Sequence, residues 1–199
     1  DFDESGGFAS TARINAKLAD LGNMTISGNH STAGWGSIEK KVSERDREDK
    51  SSYDFSTSIE LGKFLPEKTG IKIPMYFGYS EAKITPQYNP LDPDVLLSQV
   101  LDPTVTPDPE KRDNINKTVT DYTERKSINF TNVRKIKTSP NAKSHIYDVE
   151  NLNFSYAYTE NYNRNYITEY AFGKTHQGVV GYNYNSGSKP IAPFEKNKS

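Results

Sequence analysis

The chain of 199 residues contains no cysteine. Disulfide staples, thiolate metal sites and thiol nucleophiles are excluded together, and passage through an oxidising compartment would need no pairing. Apolar material is scarce as well. Hydrophobic residues make up 33% and the mean hydropathy is -0.81, against about 45–50% apolar, Gly included, in an ordinary soluble domain. There is little from which to build a large dry core. No run of about 18 apolar residues occurs, so a transmembrane helix is excluded. Neither sign of charge dominates: 25 basic and 26 acidic residues are interspersed and leave a net charge of -1. That balance offers no footprint for a phosphate backbone, so nucleic acid is not an expected partner. The opening Asp-Phe-Asp-Glu-Ser-Gly-Gly lacks the basic and apolar regions of a secretory signal, so export would require a longer precursor.

What the chain does have is aromatic rings, 12% of residues, with 13 Tyr and 9 Phe. That is too many for a generic disordered chain, and their placement is periodic. From Tyr53 to Leu61 the residues alternate, with Tyr53, Phe55, Thr57, Ile59 and Leu61 on one surface and Asp54, Ser56, Ser58 and Glu60 on the other. A soluble sandwich would use the apolar face as core. A membrane barrel would turn Tyr53, Phe55, Ile59 and Leu61 toward lipid and Asp54, Ser56, Ser58 and Glu60 toward an aqueous lumen. Each barrel strand needs only about 9–11 alternating residues to cross.

The same alternation recurs. Ala12, Ile14, Ala16 and Leu18, then Met24, Ile26 and Gly28, flank the turn residues 20–23 and predict a hairpin. Residues 38–50 are heavily charged and fit either a helix capped by Ser37, with Ile38 and Val42 on one face, or a strand extended into solvent. After a turn at 65–70, Ile71, Ile73, Met75, Phe77 and Tyr79 predict an antiparallel neighbour for the Tyr53–Leu61 strand, with Pro74 marking an edge, bulge or rim. Pro86, Pro90, Pro93, Pro103, Pro107 and Pro109 then interrupt the pattern across 85–117. Within this insertion Asp92 at an N-cap and Pro93 at N1 predict a short helix over 94–101, whose Val95, Leu96, Leu97, Val100 and Leu101 require an apolar contact.

Strand patterns resume around Ile128 and Phe130, around Leu152 to Tyr158, around Tyr166, Tyr170 and Phe172, and around Val180 to Tyr184, with turns expected near 140–141, 161–165 and 175–178. The division expected is therefore barrel-wall hairpins over 1–84, the Pro-rich loop over 85–117, further strands over 118–188 and a connector over 189–199. Connections alternate short and long, as in an up-and-down membrane barrel.

No catalytic constellation stands out. His30, His145 and His176 have no companions at metal-ligand spacing and read as solvated loop residues. Phosphate-loop, nucleophile-elbow and dinucleotide motifs are missing. Neither catalytic residues nor cofactor or metal ligands are assigned, and an enzyme is not expected.

Several long segments point further. Residues 12–22, 31–39, 61–74 and 88–94, with Tyr182-Asn-Tyr-Asn185 and Pro190, Pro193 and Phe194, together resemble the SprA/Sov family, the outer-membrane translocon of type IX secretion that also supports gliding motility. The resemblance implies that this chain is a fragment of a very large transmembrane β-barrel in the outer membrane of a Gram-negative bacterium. It implies an all-β fold of antiparallel up-and-down strands whose remaining strands lie elsewhere in the parent. The implied function is passive export of folded proteins for surface display, beside plug and shuttle proteins and outer-membrane lipid. A soluble cell-surface β-sandwich adhesin and a porin-like uptake barrel are the competing classes.

Overall fold

The computed structural model describes residues 6–36, 41, 44–139 and 145–184. Alternation becomes strands β1 (Ala9–Leu18), β2 (Gly22–Ser31), β3 (Glu48–Glu60), β4 (Ile71–Lys72), β5 (Pro74–Pro86), β6 (Tyr88–Asn89), β7 (Asp92–Leu96), β8 (Asp121–Lys135), β9 (Leu152–Arg164) and β10 (Ala171–Tyr182). The main sheet runs β1-β2-β3-β5-β8-β9-β10 in chain order, with β4 pairing β8, and every pairing in it is antiparallel. It is an open meander whose edges are β1 and β10. The only buried apolar residues among those described are Leu97 and Val119, and both lie in the insertion between β5 and β8. Among the described residues the sheet is therefore a single layer with no protein core on either face.

The first hairpin closes through residues 19–21, with the Leu21 N–H donating to the Leu18 carbonyl at 2.9 Å and Ala19 at φ 50°. The next long connection, residues 32–47, contains most of the charged stretch whose helix or strand character was open. Its end is strand, since Glu48, Asp49 and Lys50 open β3, while 37–40 and 42–43, including Ser37, Ile38 and Val42, lie outside the described residues. Antiparallel pairing of β3 with β5 holds from Glu48 opposite Pro86 to Glu60 opposite Pro74. Pro74 is the first residue of β5, where its missing N–H costs the ladder least. Leu61 departs from expectation: β3 ends at Glu60, and Leu61 opens a 3-10 turn over Leu61–Phe64. Glu60 is not a free face residue either. Its carboxylate accepts from the Gly62 N–H at 3.0 Å and the Ile73 N–H at 2.6 Å, which ties the turn to the following strand.

The insertion corrects the predicted helix. Asp92, Pro93, Asp94, Val95 and Leu96 form β7, and helix is confined to α1 (Leu97–Val100), with Leu101 as its C-cap. The cause is the turn in front of it. Asn89 Oδ1 accepts from the Leu91 N–H at 3.1 Å, and Pro90 holds the bend that folds β7 back on β6. A longer helix, α2 (Pro109–Val119), lies downstream with Asp108 Oδ1 accepting from the Glu110 N–H at 3.0 Å. The insertion thus starts beyond Pro86 and ends in helix at Val119. Leu97 and Val119 supply its buried apolar contacts, while Val95, Leu96 and Val100 are half-buried.

Two expected turns are strand. Residues 161–164 belong to β9, and Thr175, His176, Gln177 and Gly178 sit within β10. Conversely, Tyr166 and Tyr170 lie in the connection before β10, and His30 and His176 are strand residues rather than loop residues. The connections run 19–21, 32–47, 61–73, 87–120, 136–151 and 165–170. Short and long alternate until the last, which is shorter than its predecessor. The 189–199 connector lies outside the described residues.

Gly22 has φ 156°, and a Cβ there would run into the Ser58 carbonyl, whereas one at Gly28 would meet the Tyr53 ring at an ordinary 3.6 Å. Gly22→Ala is expected to weaken the β2–β3 pairing by about 1–3 kcal/mol while Gly28→Ala leaves it intact. Amide exchange over β2 and β3 of the intact protein measures this, and equal exchange in the two variants would refute it.

Asp148 organises the 136–151 connection. It accepts from Lys137 Nζ at 2.7 Å and the His145 N–H at 2.8 Å. The Lys137 hydrogen bond leads in holding its carboxyl below the ordinary 3.8, helped by that backbone N–H. A depressed folded pKa stabilises above the unfolded value, and the contribution is lost as pH falls through the folded one. Local opening of residues 145–151, from exchange corrected for intrinsic rate, should rise below about pH 4, and Asp148→Asn should show the opened state at neutral pH. An opening constant indifferent to both changes would remove Asp148 as the organiser.

Candidate functional site: the two faces of the sheet

Cross-strand register decides which residues share a face, because paired residues point the same way. Asp54 pairs with Ser27 and through it Arg13 on one side, and with Ser80, Arg125 and Asn161 on the other. The neighbouring row carries Asn15, Thr25, Ser56, Gly78, Ser127 and Thr159. Ser56, Ser58 and Asp54 therefore belong to a polar surface running across the sheet. Arg13, Asp54 and Arg125 border a trough of about 450 Å³ in its middle. Its bonding is between hydroxyls and amides, as in Thr25 Oγ1 donating to Asn15 Oδ1 at 2.9 Å and Asn29 Nδ2 to Ser52 Oγ at 3.2 Å.

The opposite face carries Tyr53, Phe55 and Ile59 together with Ile14, Ile26, Met24, Met75 and Phe77. The Phe55 and Phe77 rings lie 5.9 Å apart. Ile14 is 60% exposed and Tyr53 59%, so large apolar side chains stand uncovered. Thr57 falls within this face yet is buried, its hydroxyl donating to the Asn23 carbonyl at 3.0 Å. Sharing a hydrocarbon-like face with aromatics requires that its O–H be internally satisfied, and it is.

Toward the end of the sheet that bears the insertion, this same face becomes ionic. Tyr79-Ser80-Glu81-Ala82-Lys83 on β5 runs against Tyr122-Thr123-Glu124-Arg125-Lys126 on β8, with Glu81 opposite Glu124, Tyr79 opposite Lys126 and Lys83 opposite Tyr122. Each half treats its own residues alike. Tyr79 donates to Glu81 at 2.9 Å and Tyr122 to Glu124 at 3.0 Å. Lys83 pairs with Glu81 at 3.0 Å and lies 5.7 Å from the Tyr122 ring, while Lys126 pairs with Glu124 and lies 6.0 Å from the Tyr79 ring. A third Tyr-x-Glu follows on β9, where Tyr158 donates to Glu160 at 2.6 Å, with Lys174 of β10 at 3.6 Å. Two carboxylates directly opposite would repel. Lys83, Lys126 and the two phenols offset that repulsion. The Tyr-x-Glu-x-Lys repeat was visible in the sequence, and its period of two placed all three residues on one face; sequence reasoning overlooked it.

His30 and Ser51 also meet on this face, Nδ1 to Oγ at 2.9 Å, with the Phe8 ring 5.5 Å from the imidazole. Among the described residues no carboxylate orients that ring, the third member that an activated serine requires.

Residues 1–101 match the SprA_N family, described as motility related/secretion protein. The chain belongs to that family. No curated protein matches it. SprA_N membership thus covers β1 to β7 and the start of the insertion, including both faces of β3.

The ionic cluster yields a measurable coupling. A double-mutant cycle of Tyr122→Phe and Glu124→Gln should return about 0.5–1.5 kcal/mol, read from unfolding of the intact protein, whereas Tyr122→Phe with the distant Asp102→Asn should be additive. Additivity in the first cycle would mean that the phenol and carboxylate bond to water instead.

Proposed function

We infer that this chain is part of the wall of an outer-membrane channel that conducts folded proteins in type IX secretion. The observation that carries the reading is the single-layer sheet whose seven-strand register keeps one face mainly polar, with Tyr76, Ile84 and Val179 as exceptions, and leaves aliphatic and aromatic side chains uncovered on the other. A wall between lipid and water needs that division and needs no catalytic centre. Membership in a motility and secretion family supports the same direction. In this reading Tyr53, Phe55 and Ile59 meet lipid, and Asp54, Ser56 and Ser58 meet the lumen. Glu60 and Leu61 close the strand at its rim. The free edges of β1 and β10 pair with other strands of the parent barrel, since an unpaired, amphipathic edge is otherwise an aggregation site. Plug and shuttle proteins and the exported cargo are its partners.

Deleting the parent gene should leave secreted cargo inside the cell envelope. In the intact protein, Ser56→Cys and Ser58→Cys should react with a membrane-impermeant maleimide, and Phe55→Cys and Ile59→Cys should be spared. Normal cargo release from the deletion strain would reject the translocon role, and reversed labelling would reject the orientation.

A further inference from the structure

The ladder rows of the outer face cross the sheet perpendicular to its strands, and the apolar surface does not follow them. One row joins Ile14, Ile26 and Phe55 to Tyr79 and then to Lys126, Glu160 and Lys174. It begins in aliphatic surface and ends in charge. Moving toward the insertion end, the first Asp, Glu, Lys or Arg on this face after the apolar stretch is Asp49 on β3, then Glu81 on β5, Lys126 on β8, Glu160 on β9 and Lys174 on β10, where His176 stands one row before it. The opposite border steps the same way. On β1 the apolar stretch stops at Leu18 with Asp20 in the turn, and the row of Leu18 reaches β10 at Gly178. Beyond that row β10 continues with Val180 and Tyr182. The apolar surface is a band with two borders slanted in the same sense.

From Asp49 to Lys174 the first border shifts by about six residues, roughly 20 Å at ~3.4 Å per residue, across about four strand spacings of ~4.8 Å, and the opposite border shifts by about four residues across about six spacings. The corresponding angles are roughly 45° and 25°, on either side of about 35°, and strands of membrane barrels tilt by about 35–45°. A flat hydrocarbon slab cutting tilted strands produces such a band. A partner docking along the strands would leave borders parallel to the rows.

We propose that the Tyr–Glu–Lys cluster of β5, β8 and β9 lies in the headgroup layer of a lipid bilayer and that the slanted band records the tilt at which these strands cross it. Tyr79 and Tyr158 stand where amphipathic rings belong, each one row nearer the apolar band than the carboxylate its hydroxyl reaches, while Tyr122 lies one row beyond Glu124 on the insertion side. The Lys83, Lys126 and Lys174 ammonium groups remain near the phosphate level. The connections 32–47, 87–120 and 165–170 then all lie on the water side of this layer. The proposal rests on the wall reading and adds the depth of individual residues.

The test places nitroxides on single cysteines at Ile14, Phe55, Lys126 and Lys174 of the intact protein in lipid nanodiscs and compares collisional access of oxygen with that of a water-soluble nickel chelate. Although the four positions share one ladder row, the oxygen-to-chelate ratio should fall several-fold from Ile14 to Lys174, with Lys126 between. Equal ratios high in oxygen at all four would overturn the tilt while leaving the wall reading standing. Chelate access at Ile14 and Phe55 would overturn both, and exclusion of both reagents would mean that protein covers this face. Should Lys126→Cys fail to fold, judged by protease resistance, Glu160→Cys occupies the same row and carries the same expectation.

Discussion

Everything in this structure hangs on the phase of the hydrogen-bonded ladder, because side chains alternate with period two and a slip of one residue would exchange the two faces of a strand. Seven strands keep that phase from Arg13 to Gly173 on the polar side and from Ile14 to Lys174 on the other. The single irregularity in these ladders lies between Phe130 and Val133. There Asn132 takes φ 56° and its N–H donates to Ser155 Oγ at 2.8 Å, so two residues of β8 are accommodated without a partner pair. The bulge reverses the parity of β8. Val133 then pairs with Phe154 on the outer face, and the apolar band extends to that end of the sheet.

Single-layer construction explains both what was legible in the sequence and what was misread. The alternation of β1, β2 and β3 was plain because their outer residues are largely aliphatic or aromatic and their inner ones polar, whereas on β5 only Met75, Phe77 and Tyr79 carried it. On β9 and β10 the inner residues are Asn161, Asn163, Thr175 and Gln177, the same types that build turns, and they suggested breaks where the ladder continues. Turn propensity measures local bonding of Asn, Ser and Gly to their own backbone. A strand with one fully wet face selects the same residues for solubility. The pairs Asp92-Pro93 and Asp108-Pro109 carry the same helix-start signal, and only the second starts one. What separates them is the Asn89-Pro90 turn, which commits the following five residues to a hairpin before any helix can nucleate.

Charge is distributed unequally between the faces in a way that matches their surroundings in the proposed wall. On the outer face, most ions are gathered at one end and bonded within the protein, with Lys135 and Glu150 paired at the other: Glu81, Glu124 and Glu160 each accept from a phenol and each pair with a lysine, and their side chains are only about a fifth exposed. Ions next to hydrocarbon need that internal satisfaction, because the lipid offers no hydrogen bonds. Polar-face groups face no such demand, and water can complete whatever they leave unpaired.

The composition of the polar face bears on what a passing protein would experience. Hydroxyl and amide contacts exchange for water at little net gain, so a surface dominated by Ser, Thr and Asn holds a visitor weakly whatever its sequence. Arg13, Asp54 and Arg125 share one row with opposite signs interleaved, and beyond about a Debye length of ~8–10 Å their fields largely cancel or are screened. A wall built this way sorts cargo by neither charge nor hydrophobicity. In the proposed channel, selection would then reside outside these strands, and the wall's contribution would be to remain wet on one side, apolar on the other, and indifferent to what moves past it.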